Sequence, residues 1–297
     1  MTRPATAARR WTSAALLSTL ALLVLGGLLR AMGPALGDPA HLEDLRRVAG
    51  MVLGVCTLGL AGTALLRHRD RPGVLVPALV ALACVGLQGF LGTRIVTPED
   101  RPLMIAAHLA VTQVLVLVLL LARESARLEA PAPLPPDRRR VFGLALLSAV
   151  LVTVQILLGS QVRGQLDLLV LGEPDLARGQ WLAALGTLPQ VHREVAGLVG
   201  MAVAATAMLA TRCTPRAPAL GRAAAVALVA CIAQCVLGLM LAGRALPPDA
   251  QALHLPLSVV LFGLVVAVAL RARRAPASNI SASAACPETA PDRPTPA

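Results

Sequence analysis

Eight stretches of this chain exclude charge, and each is about as long as a membrane is thick. Residues 11–29, 48–66, 72–93, 102–122, 141–162, 195–211, 223–243 and 250–270 contain no Asp, Glu, Lys or Arg. At a rise of about 1.5 Å per residue, about 20 apolar residues in a helix cross a hydrocarbon core of about 30 Å. A hydrophobic share of 56% and a mean hydropathy of +0.72 exceed what a soluble domain hides from water, so lipid is the expected solvent. The first window is too long for a signal peptide, and seven like it follow.

The sequence carries a net charge of +11, all of its basic residues being Arg. These Arg punctuate the apolar runs and build no basic domain, so the expected partner is a lipid bilayer and not nucleic acid. Their distribution sets orientation. With the N-terminus inside, the inner segments hold 18 of the 27 Arg against 6 of the 16 acids, leaving 9 Arg and 10 acids outside. The positive-inside rule then puts both termini in the cytoplasm of a multi-pass protein of the cell's inner (plasma) membrane.

The expected fold class is all-α integral membrane, with eight transmembrane helices forming two pseudo-symmetric four-helix bundles. Residues 1–122 form the first half, 123–140 a Pro-rich cytoplasmic linker, 141–274 the second half, and 275–297 a disordered tail rich in Ala, Pro and Ser. Residues 164–190 form a long outer loop, with a surface helix over 167–182 and Trp181 at the interface. No Cys lies in an outer loop and no CxxC pair occurs, so neither a disulfide framework nor a Cys-based metal site is expected.

Splitting the chain at the linker exposes a repeat. Helix 5 carries Gln155-Ile156-Leu157-Leu158-Gly159, helix 3 carries Gln88-Gly89-Phe90-Leu91-Gly92, and helix 7 carries Gln234-Cys235-Val236-Leu237-Gly238. Helix 1 ends on a relative, Leu25-Gly26, with Arg30 four after the Gly as Arg163 is four after Gly159. Taken singly, such a Gly permits close helix packing and such a Gln is interhelical glue. Their recurrence at corresponding outer helix ends points to a duplicated four-helix unit.

The chain has five His. His68, in the inner turn between helices 2 and 3, reads as a solvated loop residue, and His41 as an exposed one just before helix 2. His108 lies six residues after Pro102 in helix 4, and His254 seven after Pro247 in helix 8. His192 opens helix 6. An imidazole inside a hydrocarbon span is costly and usually functional. His is also the common axial ligand of heme iron, and bundle sites are built from side chains on facing helices. Helices 6 and 8 thus each deliver one His at similar depth, as bis-His ligation of a b-type heme requires. Arg193 and Arg163 are placed to meet heme propionates. Interhelical hydrogen bonding by the same His is the plainer reading. The first half departs from this symmetry. Aligning Arg47-Val48-Ala49-Gly50 with Glu194-Val195-Ala196-Gly197 sets Leu45 opposite His192, while the His192-to-His254 interval counted back from His108 points to Arg46.

Together these features resemble the heme A synthase family. The resemblance runs over about residues 10–275 and rests on Leu-Gly-x-x-Val-Arg ending at Arg163, His192-Arg193, Gln-x-x-Leu-Gly in helices 3 and 7, Ala107-His108-Leu109 and His254-Leu255. It implies two pseudo-symmetric four-helix halves with His on the second and fourth helix of each. It implies a heme b cofactor held by His192 and His254. It further implies that the first half accepts heme O, with His108 on the substrate iron and Glu43 as the catalytic or proton-handling carboxylate. One methyl substituent would be oxidised to a formyl, giving heme A for cytochrome oxidase. Heme O synthase is the partner this implies upstream, and the electron partner is a membrane protein or quinone that the residues do not identify. Where the family's first half has Glu and then His-Arg three residues on, this chain has Glu43 and then Arg46-Arg47. Residues 32–38 also lack the Cys and Trp that many members carry there. A non-catalytic bis-His b-heme protein, for electron transfer or heme handling, is the alternative, and a heme-free transporter or assembly factor a third.

Overall fold

The computed structural model describes residues 3–32, 40–93, 100–126, 134–213, 217–244 and 246–273. Eight long helices account for nearly all of them: α1 (Arg3–Met32), α2 (Ala40–Arg67), α3 (Pro72–Thr93), α4 (Arg101–Ser125), α5 (Pro136–Gly172), α6 (Leu188–Arg212), α7 (Pro218–Gly243) and α8 (Pro248–Ala272). All eight are long and apolar enough to cross a membrane, so the chain is an all-helical integral membrane protein. Their starts are written in Pro: α4 to α8 each carry one at the first or second helical position, where no N–H is needed.

Helices α1 to α4 pack in sequence, with α4 returning to α1, and α5 to α8 do the same. The two sets meet where α1 lies on α8, α4 on α5, and α4 on α8. One buried cluster fills the first set, with Leu60, Val74, Leu115 and Leu119 almost wholly enclosed. A second joins Val116 of α4 to Val152, Val203, Phe262 and Val265 of the last four helices. A third, largely of Ala, packs the ends of α5 to α8 nearest the C-terminus. Large apolar side chains such as Leu66, Val229 and Leu239 face outward all round, as a lipid-facing surface requires.

Close approach between the two sets depends on missing side chains. Pro256 inside α8 has no N–H to give the Ala252 carbonyl, and a Cβ placed on Gly27 of α1 would fall 2.7 Å from that oxygen. A Cβ on Gly164 of α5 would fall 2.5 Å from Pro102 Cα of α4. In both places the obstacle is backbone, which cannot swing aside.

Several expectations need correction. The loop over 164–190 is far shorter, because α5 runs on to Gly172. Leu166, Leu168, Leu169, Val170 and Leu171 continue its apolar run, and Arg163 pairs with Asp167 at 2.9 Å one turn on. The surface helix over 167–182 is therefore not a unit. Residues 167–172 belong to α5, and helix resumes only as a 3₁₀ turn (Arg178–Gln180) and one α turn (Trp181–Ala184). Trp181 donates its indole N–H to the Leu176 carbonyl at 3.0 Å, under the Arg178 guanidinium. His68 is not solvated but buried at 4% exposure, in a tight turn where its N–H continues the α2 ladder to Ala64 and its carbonyl accepts from the Arg71 N–H. At the two ends of the expected linker over 123–140, α4 runs on to Ser125 and α5 begins at Pro136, and residues 127–133 lie outside the described residues. The expected tail over 275–297, and residues 33–38 of the segment where Cys and Trp are lacking, lie outside the described residues. Arg138 is buried and donates to the Arg271 carbonyl at 2.8 Å, capping the last turn of α8.

Gly27→Ala and Gly164→Ala should each lower stability by about 1–3 kcal/mol through overpacking. Both should lower the unfolding midpoint in detergent micelles. Gly143→Ala, whose new methyl meets nothing within 4 Å, should not. Equal midpoints for all three would contradict this packing.

Candidate functional site

The recurring Gln residues and the membrane His residues are partners. Gln155 of α5 donates from Nε2 to the His192 carbonyl of α6 at 2.9 Å. Gln234 of α7 donates from Nε2 to the His254 carbonyl of α8 at 3.0 Å. Gln88 of α3 donates from Nε2 to the His108 carbonyl of α4 at 2.9 Å. Each bond ties an odd-numbered helix to the next even-numbered one at the same end of the bundle. A carbonyl oxygen has a second lone pair beyond the one its own helix uses, so the bond adds to the helical ladder. Bonds of this kind between membrane helices contribute about 0.6 kcal/mol on average.

In the last four helices the same amides also reach the rings. Gln155 Nε2 lies 3.2 Å from His192 Nε2, and Gln234 Nε2 lies 3.2 Å from His254 Nε2. An amide nitrogen can only donate, so each ring Nε2 accepts and its proton sits on Nδ1. Both Nδ1 atoms are buried without a hydrogen-bond partner, as are the Oε1 atoms of Gln155 and Gln234. The Gly one turn after each Gln makes room for the imidazole: a Cβ on Gly159 would fall 2.9 Å from His192 Cε1, and one on Gly238 3.5 Å from His254 Cε1. Gln-x-x-x-Gly is thus a cradle, with the Gln holding the His backbone and the Gly leaving space for its ring. His192 and His254 are both half-buried.

The first four helices differ. Gln88 spends its other contact on Thr112 Oγ1 at 2.7 Å, and Thr112 donates in turn to the His108 carbonyl at 2.9 Å. The His108 side chain is exposed, and a Cβ on Gly92 would meet nothing within 4 Å, so this ring does not lie in its cradle. Glu43, in the first turn of α2, holds Arg46 by two bonds of 2.6 and 2.8 Å, with Arg47 at 3.5 Å. Arg46 acts electrostatically on His108. His41 is exposed and lies in the first turn of α2, which begins at Ala40.

Of the two Arg expected at heme propionates, Arg193 is exposed, while Arg163 bonds Gln251 Oε1 at 2.6 Å as well as Asp167. Arg163 therefore ties α5 to α8 beside the His pair. These residues fit a bis-His heme: each imidazole has its backbone anchored independently of its ring, so the ring can turn to offer Nε2 while the carbonyl bond holds the helix. Sequence reasoning found the His and the Gln but not their pairing, and it missed Thr112. The signal was present, in that every Gln of the repeat precedes a membrane His on the next helix.

A scan against protein families matches COX15-CtaA, cytochrome oxidase assembly protein, over residues 39–266. The chain belongs to that family. Its role is accordingly in heme assembly for cytochrome oxidase. No curated protein matches the chain. The matched span includes Glu43, His108, His192 and His254, all three intact Gln–His pairs and both glycine cradles of the last four helices.

Because Gly159 is the tighter cradle, Gly159→Ala should displace the His192 ring more than Gly238→Ala displaces that of His254. Histidine ring ¹⁵N chemical shifts of the cofactor-free protein would report it. Equal shifts for the two variants would refute the cradle.

Proposed function

We propose that this chain is a heme A synthase that holds a b-type heme between His192 and His254 and receives heme O at His108. The observation that carries this reading is the recurrence of the Gln–His pair on three adjoining helix pairs, two of them with the ring seated over a Gly. The pseudo-symmetry of the two four-helix halves, 1–122 and 141–274, belongs to the same reading. So does an orientation in the plasma membrane with both termini cytoplasmic.

A bound b heme would supply a one-electron relay toward an acceptor that is a membrane protein or quinone. The chain's own residues do the rest. Gln155 and Gln234 keep each His backbone in place. When a ring turns to offer its Nε2, the amide gives up one bond of two and the carbonyl bond remains. Arg163, fixed by Gln251 and Asp167, and the more exposed Arg193 are the cations available to carboxylates at that end. Glu43, ionised in its pair with Arg46, is a proton acceptor on the first-half side.

A second reading has a specific observation behind it: the His108 ring lies outside its cradle and has no His opposite it. In that case the protein carries b heme for electron transfer or heme handling and converts nothing. A pyridine hemochrome assay with redox difference spectra, with and without co-expressed heme O synthase, separates the readings. His192→Ala and His254→Ala should each abolish the b-heme spectrum, and heme A should appear only with co-expression. A b heme without heme A would establish the second reading, and no heme in the wild type would sink both. Glu43→Gln should keep the b heme and cut heme A yield by about a hundredfold or more, the range of a lost acid–base group. An undiminished yield would remove Glu43 from the chemistry.

A further inference from the structure

The helix pair α1–α2 is the only adjacent pair of the repeat without a Gln–His bond among the described residues, and its sequence shows why. Counting four back from Gly159 reaches Gln155, and four back from Gly92 and Gly238 reaches Gln88 and Gln234. Four back from Gly26 reaches Leu22, which packs against the apolar cluster of the first four helices. On α2, both positions that answer to His192 are non-His: Leu45, exposed at 54%, and Arg46, tied to Glu43. A Cβ on Gly26 would meet nothing within 4 Å, so no ring lies over it. The Gln and the His of this station are thus absent together. Arg46 has no lone pair to offer a metal at neutral pH. On α2, therefore, the positions that the repeat sets opposite His108 carry no imidazole, and His41 stands a turn before them. The His108 ring is exposed in a span where an imidazole without a partner is costly.

We infer that the site of the first four helices offers heme iron a single axial histidine, His108, and leaves the opposite coordination position open to a small exogenous ligand. The His192–His254 site, by contrast, has both positions filled. This rests on the proposed function, since it assigns coordination at the substrate-heme site of that reading. It makes the two sites chemically unlike despite their common repeat: one closed for electron relay, the other open to an incoming diatomic or anion beside the Glu43–Arg46 pair.

Carbon monoxide is the probe, because it binds ferrous heme with an open position and not a bis-His heme. Full-length protein, purified from cells making heme O, would be assayed for heme per chain and for its ferrous CO difference spectrum. The expected result is about two hemes per chain with about half of the heme shifting on CO. His108→Ala should remove the CO-binding fraction and keep the CO-inert one, whereas His41→Ala should change neither. Wild-type protein whose heme is wholly CO-inert, at either stoichiometry, would overturn the inference. In that case His41 or another side chain fills the position, or the first site takes no heme. Retention of the CO-binding heme in His108→Ala would overturn it as well. The two failures are distinguishable, because loss of the proposed function shows as no heme in the wild type, while failure of this inference alone leaves the CO-inert heme in place.

Discussion

The bond from a glutamine amide to a histidine carbonyl is what the His-bearing end of this molecule depends on. Hydrocarbon offers no water to satisfy a side-chain amide, so a Gln in a membrane helix must find a partner on a neighbour. Here three of them find the same partner, the backbone oxygen of a His on the next helix. The choice of carbonyl over ring as the main acceptor matters. It fixes the position of the helix that carries the imidazole and leaves the ring the freedom of its own side-chain torsions.

The opposite end of the bundle is built by other means. There the last four helices close on Ala and Val, Arg138 caps α8, and Ser148 and Thr206 share a hydrogen bond at 3.2 Å between α5 and α6. Small side chains bring the axes together and leave no room for a bulky group. The His-bearing end keeps its polar side chains half-buried instead. Glycine does different work at the two levels. Gly27 and Gly164 admit backbone from the other helix set, whereas Gly159 and Gly238 admit a ring. The result is close packing of small side chains at one end and half-buried polar side chains at the other.

Much of this was legible in the sequence, and the exceptions have physical causes. The eight spans follow from charge-free windows, because lipid penalises charge wherever a helix crosses it. Helix length was less legible. An apolar run bounded by Arg163 hid five more residues of apolar character before Gly172, since a charge interrupts a hydropathy window but not a helix. His68 was misplaced for a related reason: flanking Arg residues suggest solvent, yet a tight turn can direct one side chain inward while its neighbours point out. The residues of the candidate site were visible by type and by place along each helix. Their pairing was not, because a Gln and a His on successive helices are near in space only once the register of the two helices is known.

Each Gln–His pair is closed within one helical hairpin, the odd helix and the even helix that follows it. A hairpin is also the smallest piece of such a gene that can be duplicated and still insert. The pair is therefore a self-contained module, and a substitution within one hairpin leaves the bonds of the others in place. The first hairpin, with Leu22 in place of a Gln and no His at the corresponding positions of α2, disturbs none of these three bonds. Each hairpin can therefore change its chemistry while the other hairpins keep theirs.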